Sequence, residues 1–211
     1  MGRKRVRQHV NPLKRRYLEP IELPDWSSVF PDPERPLWLD VGCARGRFLL
    51  EMARLYPQWN FLGLEIRSAL VAEALARRDR EGLWNLHYLY ANALVHLDPI
   101  LVSLPSGAVR RVSFLFPDPW PKKRHLKRRV IQQATVGVLA RHLPPGARVY
   151  LATDVEAVAQ DACQAFAAHG AFEREGGWWE SFPFPVVSER EVSVRRLGRR
   201  VWRAVFRRRE G

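Results

Sequence analysis

The sequence predicts an α/β protein in which a doubly wound, mostly parallel sheet carries helices on both faces. From residue 37 onward, five short apolar runs typical of strands are each followed by a segment with the apolar spacing of a helix. Right-handed crossovers between parallel strands place such helices on both faces of the sheet. The last apolar run, residues 201–206, contains one basic residue, Arg203, and we expect it to form an antiparallel strand half-exposed near the sheet edge.

The individual elements follow in chain order. The predicted strands are residues 37–41, 60–65, 86–90, 112–116, 149–152 and 201–206. The predicted helices are residues 46–56, 68–80, 93–101, 126–141 and 154–169. Asp154 is the predicted N-cap of the last helix. Pro57 and Gly82 end the first two helices.

Residues 1–36 are basic and then proline-rich, and they predict an irregular arm ahead of a single domain, residues 37–211. We expect the first sixteen residues to become ordered on binding RNA. The rest of the arm is expected to pack in part through apolar side chains, namely Tyr17, Leu18, Trp26 and Phe30.

Positive charge is concentrated in three segments of the chain. The net charge is +13 and the pI is near 10.7. Residues 1–16, 122–129 and 190–209 hold 22 of the 35 Lys and Arg residues and a single acid, Glu191. The remaining chain is mildly acidic. Such segregation predicts a polyanionic partner, with nucleic acid as the first interpretation and an anionic membrane surface as the second.

The cysteines and the apolar runs exclude several other classes of protein. Cys43 and Cys163 are far apart and lack the spacing of a metal site, so we interpret them as reduced thiols of a cytoplasmic protein. No apolar run approaches the ~18 residues of a membrane span, and no apolar segment follows the basic N-terminus as in a secretory signal. We expect no metal and no membrane partner, and either a monomer or a homodimer.

The most informative stretch is residues 113–129, SFLFPDPWPKKRHLKRR. Its apolar start predicts a buried strand, and Asp118 follows that strand after one proline. An acid there is costly unless it has a polar function, and ligands of open α/β sheets bind beyond the carboxyl ends of strands. The stretch therefore predicts an active-site carboxylate beside a docking surface for a polyanion. A strand, a proline-rich turn and a solvated helix start are the alternative interpretation.

Other predicted strand ends also carry small or polar residues. Small residues at positions 42, 44 and 46 allow close approach of a ligand, or simply form a tight turn. Glu65 ends the second strand, where a carboxylate accepts hydrogen bonds from the ribose of nicotinamide cofactors or S-adenosylmethionine; an exposed strand-end acid is the alternative. Asn92 follows the third strand and either contacts an adenine edge or caps the next helix.

This ordered series of strand ends resembles that of a class I S-adenosylmethionine-dependent methyltransferase. Residues 116–129, FPDPWPKKRHLKRR, are similar to the signature of bacterial tRNA (guanine-N7)-methyltransferases. LATDVE at 151–156, SERE at 188–191, RLG at 196–198 and VW at 201–202 resemble the later motifs of that family. The resemblance covers residues 35 to 206, and the N-terminal arm lies outside it.

The resemblance implies a seven-stranded Rossmann-like sheet and transfer of a methyl group from S-adenosylmethionine to N7 of the variable-loop guanine, position 46, of tRNA. The implied cofactor-binding residues are Asp40, Gly42, Glu65, Asn92 and Asp118. Among these, Glu65 holds the ribose, Asn92 the adenine, and Asp118 is the catalytic residue where cofactor and guanine meet. The implied substrate-binding residues are Lys122, Asp154, Ser188 and Glu191. The implied RNA-binding residues are Arg124, His125, Lys127, Arg128 and Arg129.

Three positions depart from the family pattern. Ala44 stands where the family usually has Gly, and Asn92 stands where Asp is common. Ser188 replaces Thr and keeps the hydroxyl group.

Other functions remain open on the sequence. The order D-P-W-P and the basic run after it count against a methyltransferase acting on an exocyclic amino group of an RNA base. The acids at Asp40, Glu65 and Asp118 count against a non-catalytic RNA-binding module on the same fold. The missing third glycine after the first strand counts against a nicotinamide-dependent oxidoreductase. For Trp120, Trp178 and Trp179, packing in the core is the preferred interpretation over stacking on the target base.

Overall fold

The centre of the molecule is one seven-stranded sheet in the order β3-β2-β1-β4-β5-β7-β6, in a computed structural model that describes residues 10–210. The strands are β1 (Leu37–Val41), β2 (Asn60–Glu65), β3 (Leu86–Tyr90), β4 (Val109–Leu115), β5 (Arg148–Thr153), β6 (Phe172–Arg174) and β7 (Trp202–Arg208). Strands β1 to β5 pair in parallel, whereas β7 runs antiparallel to both of its neighbours. The predicted fold class, including the antiparallel strand near the sheet edge, is confirmed. The predicted half-exposure of that strand is wrong, because β7 lies between β5 and β6 and its residues 203–206 are all buried.

Helices cover both faces of this sheet. They are α1 (Trp26–Val29), α2 (Arg47–Leu55), α3 (Ser68–Glu81), α4 (Ala93–Ser103), α5 (Gln133–His142), α6 (Glu156–His169) and α7 (Glu189–Arg196). Alternate residues along each strand face opposite sides. Leu37 and Leu39 of β1 therefore pack with α1, α4, α5 and α6 in one hydrophobic cluster, while Trp38 packs with α2 and α3 in the other.

The direction in which the chain adds strands reverses between β1 and β4. Strand β1 pairs with β2 on one side and with β4 on the other, in both cases from Leu37 onward. Crossovers from β1 run towards β2 and β3, and those from β4 run towards β5. Loops after β1 and β4 therefore diverge and leave a crevice at their carboxyl ends, which is where open α/β sheets bind ligands. This topology fixes the position of the candidate site.

The prediction of one continuous helix over residues 126–141 is wrong at its start. Residues Lys123–Arg128 form a short 3-10 helix, and α5 begins only at Gln133. Arg129 and Ile131 are both buried, although they are two residues apart. The backbone is extended at Arg129 (ψ 139°) and again at Gln132 (ψ 171°), which interrupts the helix.

The predicted N-cap of α6 is also wrong. The N-cap residue is Val155, and no side chain caps this helix. The carboxylate of Asp154 instead accepts a 2.9 Å hydrogen bond from the guanidinium of Arg190. An ion pair with a residue distant in the chain has replaced the local cap.

The second half of the N-terminal arm packs onto the domain. Tyr17, Trp26 and Phe30 are buried as predicted, but Leu18 is 43% exposed, so its predicted packing is wrong. The arm contains a 3-10 helix, Arg15–Tyr17, and α1. Residues 1–9, to which part of the predicted ordering on RNA refers, lie outside the described residues, and the domain boundary at residue 36 stays a prediction.

Neither cysteine forms a disulfide; Cys43 is buried and Cys163 is half-buried. Across residues 10–210, no cluster of His, Cys, Asp or Glu could hold a metal ion. The same part of the chain has no helix long and apolar enough to cross a membrane.

Candidate active site

A cleft of about 440 Å³ lies at the carboxyl ends of β1, β2 and β4. The loops that follow these strands line it, together with the start of α4 and the end of β5. Of the predicted site residues, the cleft brings together Gly42, Glu65, Asn92, Asp118, Arg128 and Asp154. The cleft is therefore assembled at the carboxyl ends of five strands, β1 to β5, that are distant in sequence.

The turn after β1 places backbone donors at the cleft. Gly42 and Gly46 have positive φ angles of 82° and 68°, and Ala44 has a φ of 50°. A Cβ atom at Gly46 would lie 2.3 Å from the ring of Tyr88, so this position also needs glycine for space. The backbone N–H of Ala44 is turned toward Glu65 and donates a 2.9 Å hydrogen bond to its Oε2. Ala44 thus holds a left-handed conformation that glycine, the usual residue of the family, adopts without strain.

Glu65 is only 2% exposed, and four hydrogen bonds fix its buried carboxylate. Oε2 accepts from the Ala44 N–H and from Nη2 of Arg67, and Oε1 accepts from N–H and Nε of Arg67. The two backbone donors belong to the loops after β1 and β2 and hold the carboxylate at the cleft. The guanidinium of Arg67 occupies the remaining acceptor positions, and its charge also interacts with that of Asp118.

Asp40 is buried next to the cleft and does not line it. Its Oδ1 accepts a 2.6 Å hydrogen bond from the Ser113 hydroxyl, which in turn accepts from Trp38 Nε1 at 3.1 Å. Burial raises the pKa of Asp40 to about 7; the Ser113 hydrogen bond opposes this rise and the negative charge of Glu65 adds to it. In this structure Asp40 joins β1 to β4 instead of reaching into the cleft.

Asn92 caps α4, as one of the two interpretations of the sequence predicts. Its Oδ1 accepts a 3.2 Å hydrogen bond from the Leu94 N–H. Its Nδ2 donates to the backbone carbonyls of Pro12 and Tyr17 in the N-terminal arm. The predicted contact with adenine stays a prediction, and the side chain already has partners for both of its amide hydrogens.

Asp118 lies in a strained loop at the cleft. Phe116 and Trp120, two residues on either side of it, have φ angles of 56° and 40°, which non-glycine residues seldom adopt. The Phe116 N–H is held by the Ala152 carbonyl at 2.7 Å. Such strain persists only where surrounding contacts enforce it, and it points to a functional constraint on the Asp118 carboxylate.

The basic run after this loop divides into two groups. Lys122, Arg124 and Lys127 are exposed at and along the 3-10 helix, and His125 is half-buried against the edge of the Trp120 ring. Arg128 lines the cleft and lies over Trp120, 4.9 Å from the ring centroid.

Arg129 points inward and is 8% exposed. Its Nε donates to the Pro119 carbonyl at 2.7 Å, and its Nη1 pairs with the Asp161 carboxylate on α6. In this structure it holds the Asp118 loop against α6 and leaves the solvent-facing surface of the run to its exposed residues.

The SERE motif forms the start of α7. Ser188 Oγ caps this helix by accepting from the Glu191 N–H at 3.2 Å, and Glu191 is buried in ion pairs with Arg195 and Arg203. Neither Ser188 nor Glu191 lines the cleft. Arg190, between them, does line it through its ion pair with Asp154. Ser188 and Glu191 thus fix the helix that carries Arg190 to the cleft.

Several cleft residues were missed in the sequence. Val10 and Pro12 come from the N-terminal arm, and Arg67 and Arg190 contribute cations. Arg67 follows Glu65 by two positions, so a search for cations next to the strand-end acid could have found it. For the other three no local signal exists, because their approach to the cleft depends on tertiary folding.

Comparison with known proteins identifies the class. A family described as "Putative methyltransferase" matches residues 34–204. The antibiotic-resistance methyltransferase Kmr aligns with a TM-score of 0.56 and 19% identity over 83% of this chain and 88% of Kmr. TrmN from Thermus thermophilus aligns with a TM-score of 0.58 and 21% identity over 82% of this chain and 45% of TrmN. The sheet, the cleft at its switch point and the family match define a Rossmann-like methyltransferase.

Closer relatives narrow the class. Proteins named tRNA (guanine-N(7)-)-methyltransferase are 52% identical in Trichormus variabilis, over 97% of this chain and 96% of the relative, and 53% identical in Thermosynechococcus vestitus, over 97% and 95%. The chain belongs to the tRNA (guanine-N7)-methyltransferase family, as the sequence motifs predict.

Proposed function

We propose that the protein transfers a methyl group from S-adenosylmethionine to N7 of a guanine in tRNA, and that its target is the variable-loop guanine at position 46. The observation that carries this proposal is the placement of Glu65 and Asp118 in one cleft, beside an exposed basic helix. One carboxylate suits a ribose, the other suits a reacting base, and the helix suits a polyanionic substrate.

The cleft residues fit the cofactor. Glu65 is held in place by the backbone N–H groups of Ala44 and Arg67, so its carboxylate is preorganised to accept hydrogen bonds from the two ribose hydroxyls. The Arg67 guanidinium must then give up its contact with the carboxylate. A Cβ atom at Gly42 would meet no other atom within 4 Å, so the turn leaves an open approach to the cleft at this point. Gly42 and Glu65 would hold the adenosine part, and Asp40 would support β1 behind them.

The chemistry needs no strong base. S-adenosylmethionine supplies a methyl group on a positively charged sulfur. Guanine N7 carries an in-plane lone pair and no proton, so this chain's residues must chiefly align the base with the methyl group. Alignment of bound reactants can supply several kcal/mol of the barrier reduction.

Asp118 is the proposed catalytic residue. Methyl transfer moves positive charge from the sulfur onto the purine ring. A carboxylate that is already fixed near the ring stabilises this charge and orients the base by accepting a hydrogen bond. The strained backbone around Asp118 and the contact of Arg129 with Pro119 support a fixed position for this loop.

Substrate contacts are proposed around the mouth of the cleft. Lys122 and Asp154 would contact the target nucleotide, with Asp154 exchanging its bond to Arg190. Ser188 and Glu191 would act on the guanine through the position of α7. Arg124, His125, Lys127 and Arg128 would bind the tRNA backbone, where phosphate contacts give affinity and register. Arg129 would support this surface from inside.

The base itself must be accessible. When N7 takes part in a tertiary contact of the tRNA, the elbow has to open or the base has to be extruded before transfer. Of the three tryptophans considered, Trp120 lines the cleft, whereas Trp178 packs edge-on against Trp202 and Trp179 packs against a hydrophobic cluster. Trp120 is therefore the proposed stacking partner.

The test is methyl transfer from labelled S-adenosylmethionine to an unmodified tRNA transcript, beside a transcript in which guanine 46 is adenine. Label in the first transcript alone, recovered as 7-methylguanosine after digestion, is the expected result. Label in both transcripts would support a tRNA methyltransferase whose target is a base other than guanine 46. Label on an amino group, or tRNA binding with no label, would favour the other two functions considered in the sequence.

We further propose that the protein acts in the cytoplasm, as a monomer or a homodimer. Its tRNA substrate and the two thiols support this location.

A further inference from the structure

Asn92 has no free hydrogen to offer a ligand. Its Nδ2 donates to the Pro12 carbonyl at 2.9 Å and to the Tyr17 carbonyl at 3.1 Å, while its Oδ1 accepts from the Leu94 N–H. An amide group has two donor hydrogens, so both are used. Rotating the amide by 180° would set its oxygen against two carbonyl oxygens, and these partners therefore fix its orientation.

His96, one turn further along α4, adds a second attachment. Its Nδ1 accepts the backbone N–H of Asn92 at 3.0 Å, so the ring proton is on Nε2 and is donated to the Glu19 carbonyl at 2.9 Å. His96 is 5% exposed. Asn92 and His96 together bind three backbone carbonyls of residues 10–19, which we name the strap.

The strap reaches the cofactor cleft. Val10 and Pro12 line the cleft beside Asn92 and the loop after β2. The segment is compact. The Asn11 side chain accepts a hydrogen bond from the Leu13 N–H, and Tyr17, whose side chain is buried, is the last residue of the 3-10 helix. The other face of the strap is open to solvent, and the Arg15 side chain is 96% exposed.

We propose that Asn92 is a positioning residue that fastens the strap over the cofactor cleft, so that Val10 and Pro12 form part of the wall against which S-adenosylmethionine binds. The identity of this ligand rests on the function proposed above. The strap thereby adds an apolar surface to the apolar residues that the sheet and its loops contribute to the cleft.

An alternative role for Asn92 is direct recognition of adenine through Oδ1, which retains a second lone pair. The two roles predict opposite effects of Asn92→Asp. The carboxylate still accepts from the Leu94 N–H and keeps the cap of α4. The variant side chain lacks the two amide hydrogens of Asn92 and places a negative charge next to the Pro12 and Tyr17 carbonyl oxygens. A carboxylate is, however, a stronger acceptor for an adenine amino group than an amide.

The experiment combines calorimetric titration of S-adenosylmethionine with amide hydrogen exchange of residues 10–20. For Asn92→Asp we expect the affinity for S-adenosylmethionine to fall about ten-fold, together with faster exchange at Tyr17 and Leu18, because the two buried carbonyls lose their donor. A second variant, Val10→Ala with Pro12→Ala, keeps Asn92 and both carbonyl acceptors. It should weaken binding of the cofactor with little change in exchange.

Four results would overturn the proposal. Tighter binding of S-adenosylmethionine in Asn92→Asp would assign Asn92 to adenine, and unchanged binding would show that the bonds of Asn92 to the strap do not support the cofactor site. Unchanged exchange in that variant would show that Asn92 does not hold the strap. Unchanged binding in the Val10→Ala, Pro12→Ala variant would remove the strap from the cleft wall. A wild-type protein that binds no S-adenosylmethionine would instead refute the proposed function, and the exchange data would still decide whether Asn92 holds the strap.

Discussion

The Ser113 hydroxyl donates a 2.6 Å hydrogen bond to the Asp40 carboxylate between two neighbouring strands, and both residues are almost fully buried. Residues 40 and 113 are opposite each other in the parallel pairing of β1 and β4. The bond therefore spans the point at which the strand order reverses, directly beside the cleft. It stabilises a carboxyl group whose ionisation the burial disfavours.

This arrangement predicts how stability changes with pH. Burial raises the pKa of Asp40 from 3.8 to about 7. Between these values the folded protein keeps a proton that the unfolded chain has released. The contribution of Asp40 to stability is therefore fully present below pH 4 and is lost as the pH rises through 7. The loss amounts to a value on the order of 4 kcal/mol.

Asp40→Asn cannot ionise, yet its oxygen still accepts from Ser113. We expect the free energy of unfolding of this variant, relative to wild type, to rise by a few kcal/mol between pH 4 and pH 8. Urea unfolding at several pH values measures it. Asp25→Asn is the control. Hydrogen bonds from Ser27 lower the pKa of Asp25, the exposed N-cap of α1, so the difference in free energy of unfolding between this variant and wild type should stay constant from pH 5 to pH 8. A constant difference for Asp40→Asn would contradict the prediction.

Arg67 is expected to compete with the cofactor for Glu65. Its guanidinium uses acceptor positions of the carboxylate that ribose hydroxyls would need. Arg67→Ala should lower the melting temperature of the free protein, because a buried carboxylate loses a charged partner. It should also increase the rise in melting temperature that saturating S-adenosylmethionine produces.

Thermal unfolding with and without the cofactor measures both effects. Arg54→Ala is the matched control, since it removes an arginine that pairs with Glu51 and Glu81 on the surface, away from the cleft. Its response to the cofactor should equal that of wild type. A smaller response in Arg67→Ala would instead assign Arg67 to cofactor binding.

Asp118 is expected to act on turnover more than on binding. Asp118→Ala should reduce kcat on the order of 100-fold, the effect of removing one preorganised electrostatic group. Its Kd for tRNA should stay close to wild type, because a carboxylate contributes nothing to phosphate binding. Single-turnover rates and filter binding separate the two quantities.

Asp118→Asn separates the two contributions of Asp118, since asparagine keeps a hydrogen-bond acceptor and removes the negative charge. A rate near that of the alanine variant would assign the effect to charge. Equal losses of kcat and tRNA affinity in Asp118→Ala would refute the catalytic assignment.

The sequence predicts the centre of the fold and the position of the cleft at the strand ends, for a local reason. Glu65 and Asp118 lie at the ends of apolar runs that predict buried strands. The topology of a parallel sheet then brings these strand ends together. What a side chain contacts depends on residues distant in sequence. Arg47 on α2 pairs with Glu189 on α7, and Asp154 pairs with Arg190 instead of capping α6. No window of local sequence contains both partners of such a pair.

The same limit explains the basic run. Its composition predicts a solvated surface, and most of its residues are exposed as expected. Arg129 turns inward because the Pro119 carbonyl and the Asp161 carboxylate together provide a buried site for a guanidinium. Only the folded position of α6 creates that site.

The exposed basic 3-10 helix is expected to determine how tRNA affinity depends on salt concentration. Arg124 and Lys127 lie on the 3-10 helix at the cleft, and each phosphate that a cation neutralises releases counterions. A plot of log affinity against log salt concentration should therefore be steep for wild type. In the double variant Arg124→Ala, Lys127→Ala the slope should fall by between about one and two, since each lost contact removes ~0.7 to 0.9. Arg110→Ala removes an exposed cation near the amino end of β4, whereas the cleft lies at the carboxyl end of that strand, and it should leave the slope unchanged. Equal slopes for the double variant and wild type would show that tRNA binds elsewhere on the protein.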